Sequence, residues 1–126
     1  MKIMLLVEEL GIGGLPNYVL DLARALNAQG DRTLVAHQGQ QVPAHLDCTG
    51  VQLLGLGDAD SPGQALERIL AWEPDLVHVH LCSDSDLLAA LTDSGLALMR
   101  SFHDYTSMCL RRGRRLAADR VRPGPR

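Results

Sequence analysis

No apolar run in this sequence approaches the roughly 20 residues that a helix needs to cross a bilayer, so a helical membrane protein is excluded. The amino end also lacks a signal-peptide pattern, because Glu8 and Glu9 interrupt the apolar run after Val7. A cytoplasmic location is the resulting expectation. Cysteine is scarce: Cys48, Cys82 and Cys109 are odd in number and none stand at CxxC spacing, which argues against a disulfide framework. No Gly-Lys-Ser/Thr follows the glycines near the amino end, so a P-loop is excluded. No G-x-S-x-G elbow is present, and serine hydrolase chemistry has no support. There is no internal repeat.

What is present is an ordinary globular composition, 46% apolar and 21% charged over 126 residues, which suits one domain. The charge is divided unevenly. Residues 1–110 hold 5 basic and 14 acidic side chains, whereas residues 111–126 hold 7 arginines and one aspartate. We therefore divide the chain into a domain over 1–110 and a basic tail over 111–126. The tail has no aromatic residue and ends Arg122-Pro123-Gly124-Pro125-Arg126, a composition that resists regular structure. It reads as a solvated end or as a helix cut off from its packing partner; nucleic acid is not the expected partner, and a peripheral contact with an anionic membrane surface stays open.

The organising stretch runs from Met1 to Gly30. Lys2 to Val7 is an apolar run of strand length, followed by Gly11-Ile12-Gly13-Gly14. Pro16 then opens a segment with apolar residues at helical spacing (Val19, Leu20, Leu22, Ala23, Leu26), closed by Gly30. Further along, Thr33–Ala36 reads as a second strand and Val51–Leu56 as a third. The link between them is a loop with a short helix near Pro43–Leu46. Ser61-Pro62-Gly63-Gln64 has the pattern of a capping box with proline at the first helical position, and Pro74 ends that helix. Asp75–His80 is the fourth strand, Ser83 or Asp84 caps a third helix closed by Gly95, and Leu96–Phe102 is the fifth strand. The alternation β-α-β-β-α-β-α-β predicts an α/β fold with an open, doubly wound parallel sheet. Right-handed crossovers lead to an order such as 3-2-1-4-5, with a ligand crevice where the chain reverses between strands one and four.

Three groups are expected at that edge. Gly13-Gly14 at a helix start lets a phosphate or sugar approach the backbone, or is simply a tight turn. A nicotinamide site is disfavoured, because Pro16 stands where the third glycine of G-x-G-x-x-G belongs and His37 where an acidic residue does. His78 and His80 alternate on strand four and share a face. His78 reads as a hydrogen-bonded core residue and His80 as reaching the crevice, with no third ligand nearby for a metal. His103-Asp104 follows the fifth strand; an imidazole there can donate to a phosphate or hydroxyl, or be an unpartnered loop residue. Cys109 has no identified base beside it.

In order and spacing, KIMLLVEELGIGGLPNYVLDLARALNAQG, PDLVHVH and SFHDYTSMC resemble the N-terminal domain of family 4-like glycosyltransferases, retaining enzymes built from two Rossmann-like domains (the GT-B type). The resemblance covers about residues 1–110. It implies a Rossmann-like, acceptor-side half of a GT-B fold. The whole enzyme would transfer a sugar from a nucleotide-sugar donor to a hydroxyl of a sugar or lipid acceptor, with no cofactor and no metal. It further implies that Gly13 and Gly14 line the diphosphate or acceptor site, and that His103 contacts the transferred sugar or acceptor. Asp104 would orient the loop and Asn17 would lie close to the acceptor. Together with His80 these are the candidate site residues. The family's C-terminal nucleotide-binding domain is missing from these residues, so a truncated chain without turnover of its own is expected. An apolar face left uncovered by missing elements would lead to self-association. Two other readings compete. One is a non-catalytic flavodoxin-like interaction module, including a receiver domain in which Glu8-Glu9 supply the acidic cluster. The other is half of a nucleotide-sugar epimerase.

Overall fold

The computed structural model describes residues 1–11, 14–39 and 42–101. Among these residues the elements run β1 (Lys2–Val7), α1 (Gly14–Ala28), β2 (Arg32–His37), β3 (Leu53–Gly55), α2 (Pro62–Ala71), β4 (Leu76–Val79), α3 (Ser85–Asp93) and β5 (Leu98–Arg100). The strands form one parallel sheet in the order β3-β2-β1-β4-β5. Both the element sequence and the strand order agree with the expectation.

The central strand shows why the sheet is covered on both sides. Met4, Leu5, Leu6 and Val7 are all fully buried. Alternate residues point to opposite faces. Ile3, Leu5 and Val7 meet Val19, Leu20 and Ala23 of α1, while Met4 and Leu6 meet Ala65 and Ile69 of α2 and Leu87 and Leu91 of α3. The two clusters are the two halves of the core.

The helix ends follow their sequence signals. After α1, Asp31 N donates to Leu26 O (3.1 Å) and Gly30 N to Asn27 O (3.0 Å), with Gly30 at φ +99°. This is a Schellman closure, and its left-handed residue falls to glycine because a residue with a Cβ rarely adopts that backbone conformation, although the space around it is open. Ser61 caps α2 by accepting from Gln64 N at 3.1 Å. The return bond differs from a capping box: Gln64 Oε1 accepts from Asp60 N (2.5 Å), one residue earlier than Ser61. Asp84 caps α3, accepting from Asp86 N and Leu87 N at 3.1 Å each.

Edge strands are shorter than expected. Gly50 adopts φ +75° and Val51 N bonds Cys48 O at 3.0 Å, so a turn holds the chain off the sheet until Gln52 O accepts from Val35 N (2.9 Å) and Leu53 comes opposite Val35. In β5, Leu96 N is taken by Ser94 Oγ (3.2 Å), and pairing with β4 starts only where Val77 N donates to Ala97 O (2.9 Å); Phe102 lies outside the described residues. The expected helix near Pro43–Leu46 is instead a single turn, closed by Leu46 N to Pro43 O (3.1 Å). That crossover lies on the α1 face, where Leu46, Cys48 and Val51 pack. Arg24 of α1 fastens it by donating to Thr49 O (3.1 Å) and Asp47 O (2.6 Å).

Candidate functional site

The strand order reverses between β1 and β4. These neighbours are parallel, with Leu6 opposite Val79, and His80 N still bonds Leu6 O at 2.9 Å. Past that point the two chains part. Leu10, after β1, packs into the α1-side cluster, and Cys82, after β4, packs into the cluster under α2 and α3. Such a divergence opens a crevice at the carboxyl ends of the strands.

A hollow of about 370 Å³ lies there, lined by Glu8, Glu9, Gln38, Gly39, Ser83 and Asp84. Its lining comes in pairs from the exits of β1, β2 and β4. The three exits are joined to one another. Gln38 N donates to Val7 O (3.2 Å) and Glu8 O (2.9 Å). Ser83 donates to Glu8 Oε1 through both its N–H (3.1 Å) and its hydroxyl. The Cys82 thiol donates to Gln38 Oε1 at 3.2 Å. Burial, the largest effect on it, pushes that thiol above its ordinary pKa, so Cys82 is a neutral structural donor rather than a nucleophile. Gly39 sits so close to Glu9 that a Cβ there would lie 2.8 Å from Glu9 Cβ. The hollow carries three carboxylates, two of which already accept hydrogen bonds from Ser83 and from the α3 start.

The start of α1 reaches the same rim. Gly14 is its first residue, Pro16 falls in its first turn, and Asn17 is exposed. The unpaired N–H groups of that turn favour an anion. Tyr18, half exposed, sets its ring edge-on to His80 with centroids 5.9 Å apart. His80 is at the carboxyl end of β4 but only 1% exposed, so it supports the α1 start from below rather than opening onto the hollow. His78 and His80 do share a face, with centroids 3.9 Å apart, and His78 Nε2 shares a 2.7 Å hydrogen bond with Ser101 Oγ. At the end of β2, His37 Nδ1 donates to Gly39 O at 3.0 Å, and the ring is buried.

Thus Gly14, Asn17 and His80 gather at one rim. Gly13, His103, Asp104 and Cys109 lie outside the described residues. The sequence reading did not single out Tyr18, Ser83 or Gln38 as members of this rim. Tyr18 carried a signal, an aromatic ring directly after Asn17; Gln38 and Ser83 carried none. Among the described residues no group of three or more His, Cys, Asp or Glu could hold a metal, and no helix is long and apolar enough to cross a membrane.

Against known families, residues 12–123 match the family model of Glycosyltransferase Family 4. No individual curated protein and no solved structure matches the chain.

Proposed function

The chain belongs to glycosyltransferase family 4, and from that premise we propose that it is the acceptor-side domain of a retaining hexosyltransferase. The reaction moves a sugar from a nucleotide-sugar to an acceptor hydroxyl. The observation that carries the reading is the meeting of the α1 start with the exits of β1 and β4 at the one place where the sheet reverses.

Each residue then has a chemical part. The leaving diphosphate gains negative charge as the glycosidic bond breaks. The amide groups of Gly13 and Gly14 at a helix N-terminus are suited to bind it. His103 donates to the transferred sugar or the acceptor, and Asp104 orients its loop. Asn17, exposed on the first turn of α1, lies on the acceptor side. The carboxylates of the hollow accept hydrogen bonds from hydroxyls, which suits a sugar or a lipid-linked sugar as acceptor. His80 acts from beneath, keeping Tyr18 and with it the start of α1 in place.

In this reading the 126 residues bind but do not turn over, since a second Rossmann-like domain supplies most of the donor site. The reaction is cytoplasmic. Leu98 and Met99 of β5, 39% and 51% exposed, favour self-association through that edge. A coupled assay for nucleotide release from a panel of nucleotide-sugars tests the first point. No release above background by the chain alone is expected. Sustained release that His103→Ala leaves unchanged would overturn the assignment of His103.

A further inference from the structure

Beyond offering a carboxylate to the hollow, Glu8 stands where the crevice is spanned. It is the first residue past β1, and its neighbours across the gap belong to the exit of β4. The chain on its own side goes to α1, and the chain on the far side goes to α3 on the opposite face of the sheet. Nothing in the sheet ladder links the two beyond His80 N to Leu6 O. The side chain of Glu8 supplies the next link, accepting from both Ser83 N and Ser83 Oγ. On the β2 side the same residue is held by its backbone, since Glu8 O accepts from Gln38 N at 2.9 Å, and Glu9 is wedged against Gly39.

We propose that Glu8 is a positioning residue, a strut whose carboxylate fixes the connection that leads from β1 to the glycines at the start of α1. A carboxylate is acceptor-only and can take two donors on one oxygen, which matches a serine offering both N–H and O–H. Without the strut, that connection keeps its β2-side contacts and the packing of Leu10 against α1 but loses the Glu8 link to the exit of β4. The consequence for function rests on the reading of the glycines as the diphosphate-facing turn; the strut itself does not.

The experiment is amide hydrogen exchange on the whole chain, comparing wild type with Glu8→Ala, Ser83→Ala and the double variant. Each single change is expected to speed exchange at Gln38, whose N–H donates to Val7 O and Glu8 O, about tenfold for Glu8→Ala and less for Ser83→Ala, which keeps the N–H donor. The double variant should add little beyond the larger single effect, because both changes cut one contact. Protection in β2 and α2 should stay as in wild type. Unchanged exchange at Gln38, or equal loss of protection throughout the sheet in Ser83→Ala as well as Glu8→Ala, would overturn the proposal. In parallel, titration with inorganic pyrophosphate, followed at the Gly14 and Asn17 amides, should show about tenfold weaker binding for Glu8→Ala, although Glu8 touches no anion. A wild type that does not respond to pyrophosphate would sink the diphosphate reading, and the strut would then stand or fall on the exchange data.

Discussion

Replacing Gly39 by alanine should destabilise the fold, and the size of the effect can be worked from the contact it creates. The new Cβ would lie 2.8 Å from Glu9 Cβ and 3.4 Å from Glu9 Cα. Carbon atoms rest at about 3.5–4.0 Å, so the overlap with Cβ alone approaches 1 Å. The opposing atoms are not the free end of a side chain. Glu9 is flanked by Glu8, whose carbonyl accepts from Gln38 N, and by fully buried Leu10. One strand exit must therefore move. Overpacking of this kind costs about 1–3 kcal/mol, which for a chain of this size lowers the melting temperature by about 3–12 °C. Gly63→Ala is the matched control. Its Cβ would meet nothing closer than Ser61 Oγ at 3.7 Å, inside the first turn of α2. Alanine there should be neutral or stabilising by up to about 1 kcal/mol, because glycine loses more entropy on entering a helix. Thermal melts of both variants decide the matter. An unchanged midpoint for Gly39→Ala, or a larger loss for Gly63→Ala, would refute the claim that the exits of β1 and β2 are packed backbone to backbone.

Other substitutions probe separate parts of the account. Gly30→Ala forces alanine into φ +99° and should cost about 1–2 kcal/mol, read as a lower urea midpoint. Asp84→Ala removes the cap from Asp86 N and Leu87 N and should cost about 0.5–2 kcal/mol in the same measurement. Leu87→Ala, at a fully buried position between α3 and the sheet, should cost about 2–5 kcal/mol. Arg68 holds Asp58 below the ordinary carboxylate value, first through a hydrogen bond and then through its charge. The folded carboxyl thus binds fewer protons than the unfolded one. Its contribution is full above about pH 4 and is lost as pH falls through the lowered value. A stability gap between wild type and Asp58→Asn that closes on acidification is the expected result.

Much of the fold was legible because parallel sheets write themselves into sequence. The β1 run is apolar at every position from Ile3 to Val7, since both of its faces are covered. Gly30 and Gly95 mark helix ends because each needs a positive φ. The edges were less legible. Val51–Leu56 reads as six strand residues, but the Gly50 turn, set by tertiary contacts of the crossover with Arg24, admits only three to the ladder. At the site, the glycines and the β4 histidines stood out from their residue types. The burial of His80 did not, because it depends on Tyr18, a residue 62 positions away in the chain, coming to rest against it. Ser83 looked like a helix cap; its role as the partner of Glu8 required knowing that β1 and β4 are neighbours.

The central claim is that one rim, at the reversal between β1 and β4, gathers the glycine turn and the residues after the fifth strand. Amide and imidazole chemical-shift mapping of the labelled chain during titration with uridine and guanosine diphosphates tests it most directly. The account predicts that the largest shifts fall on Gly13, Gly14 and His103 together. Shifts confined to the opposite edge of the sheet, around Asn27, Arg32 and Gln52, or shifts at the glycines with His103 unmoved, would contradict it.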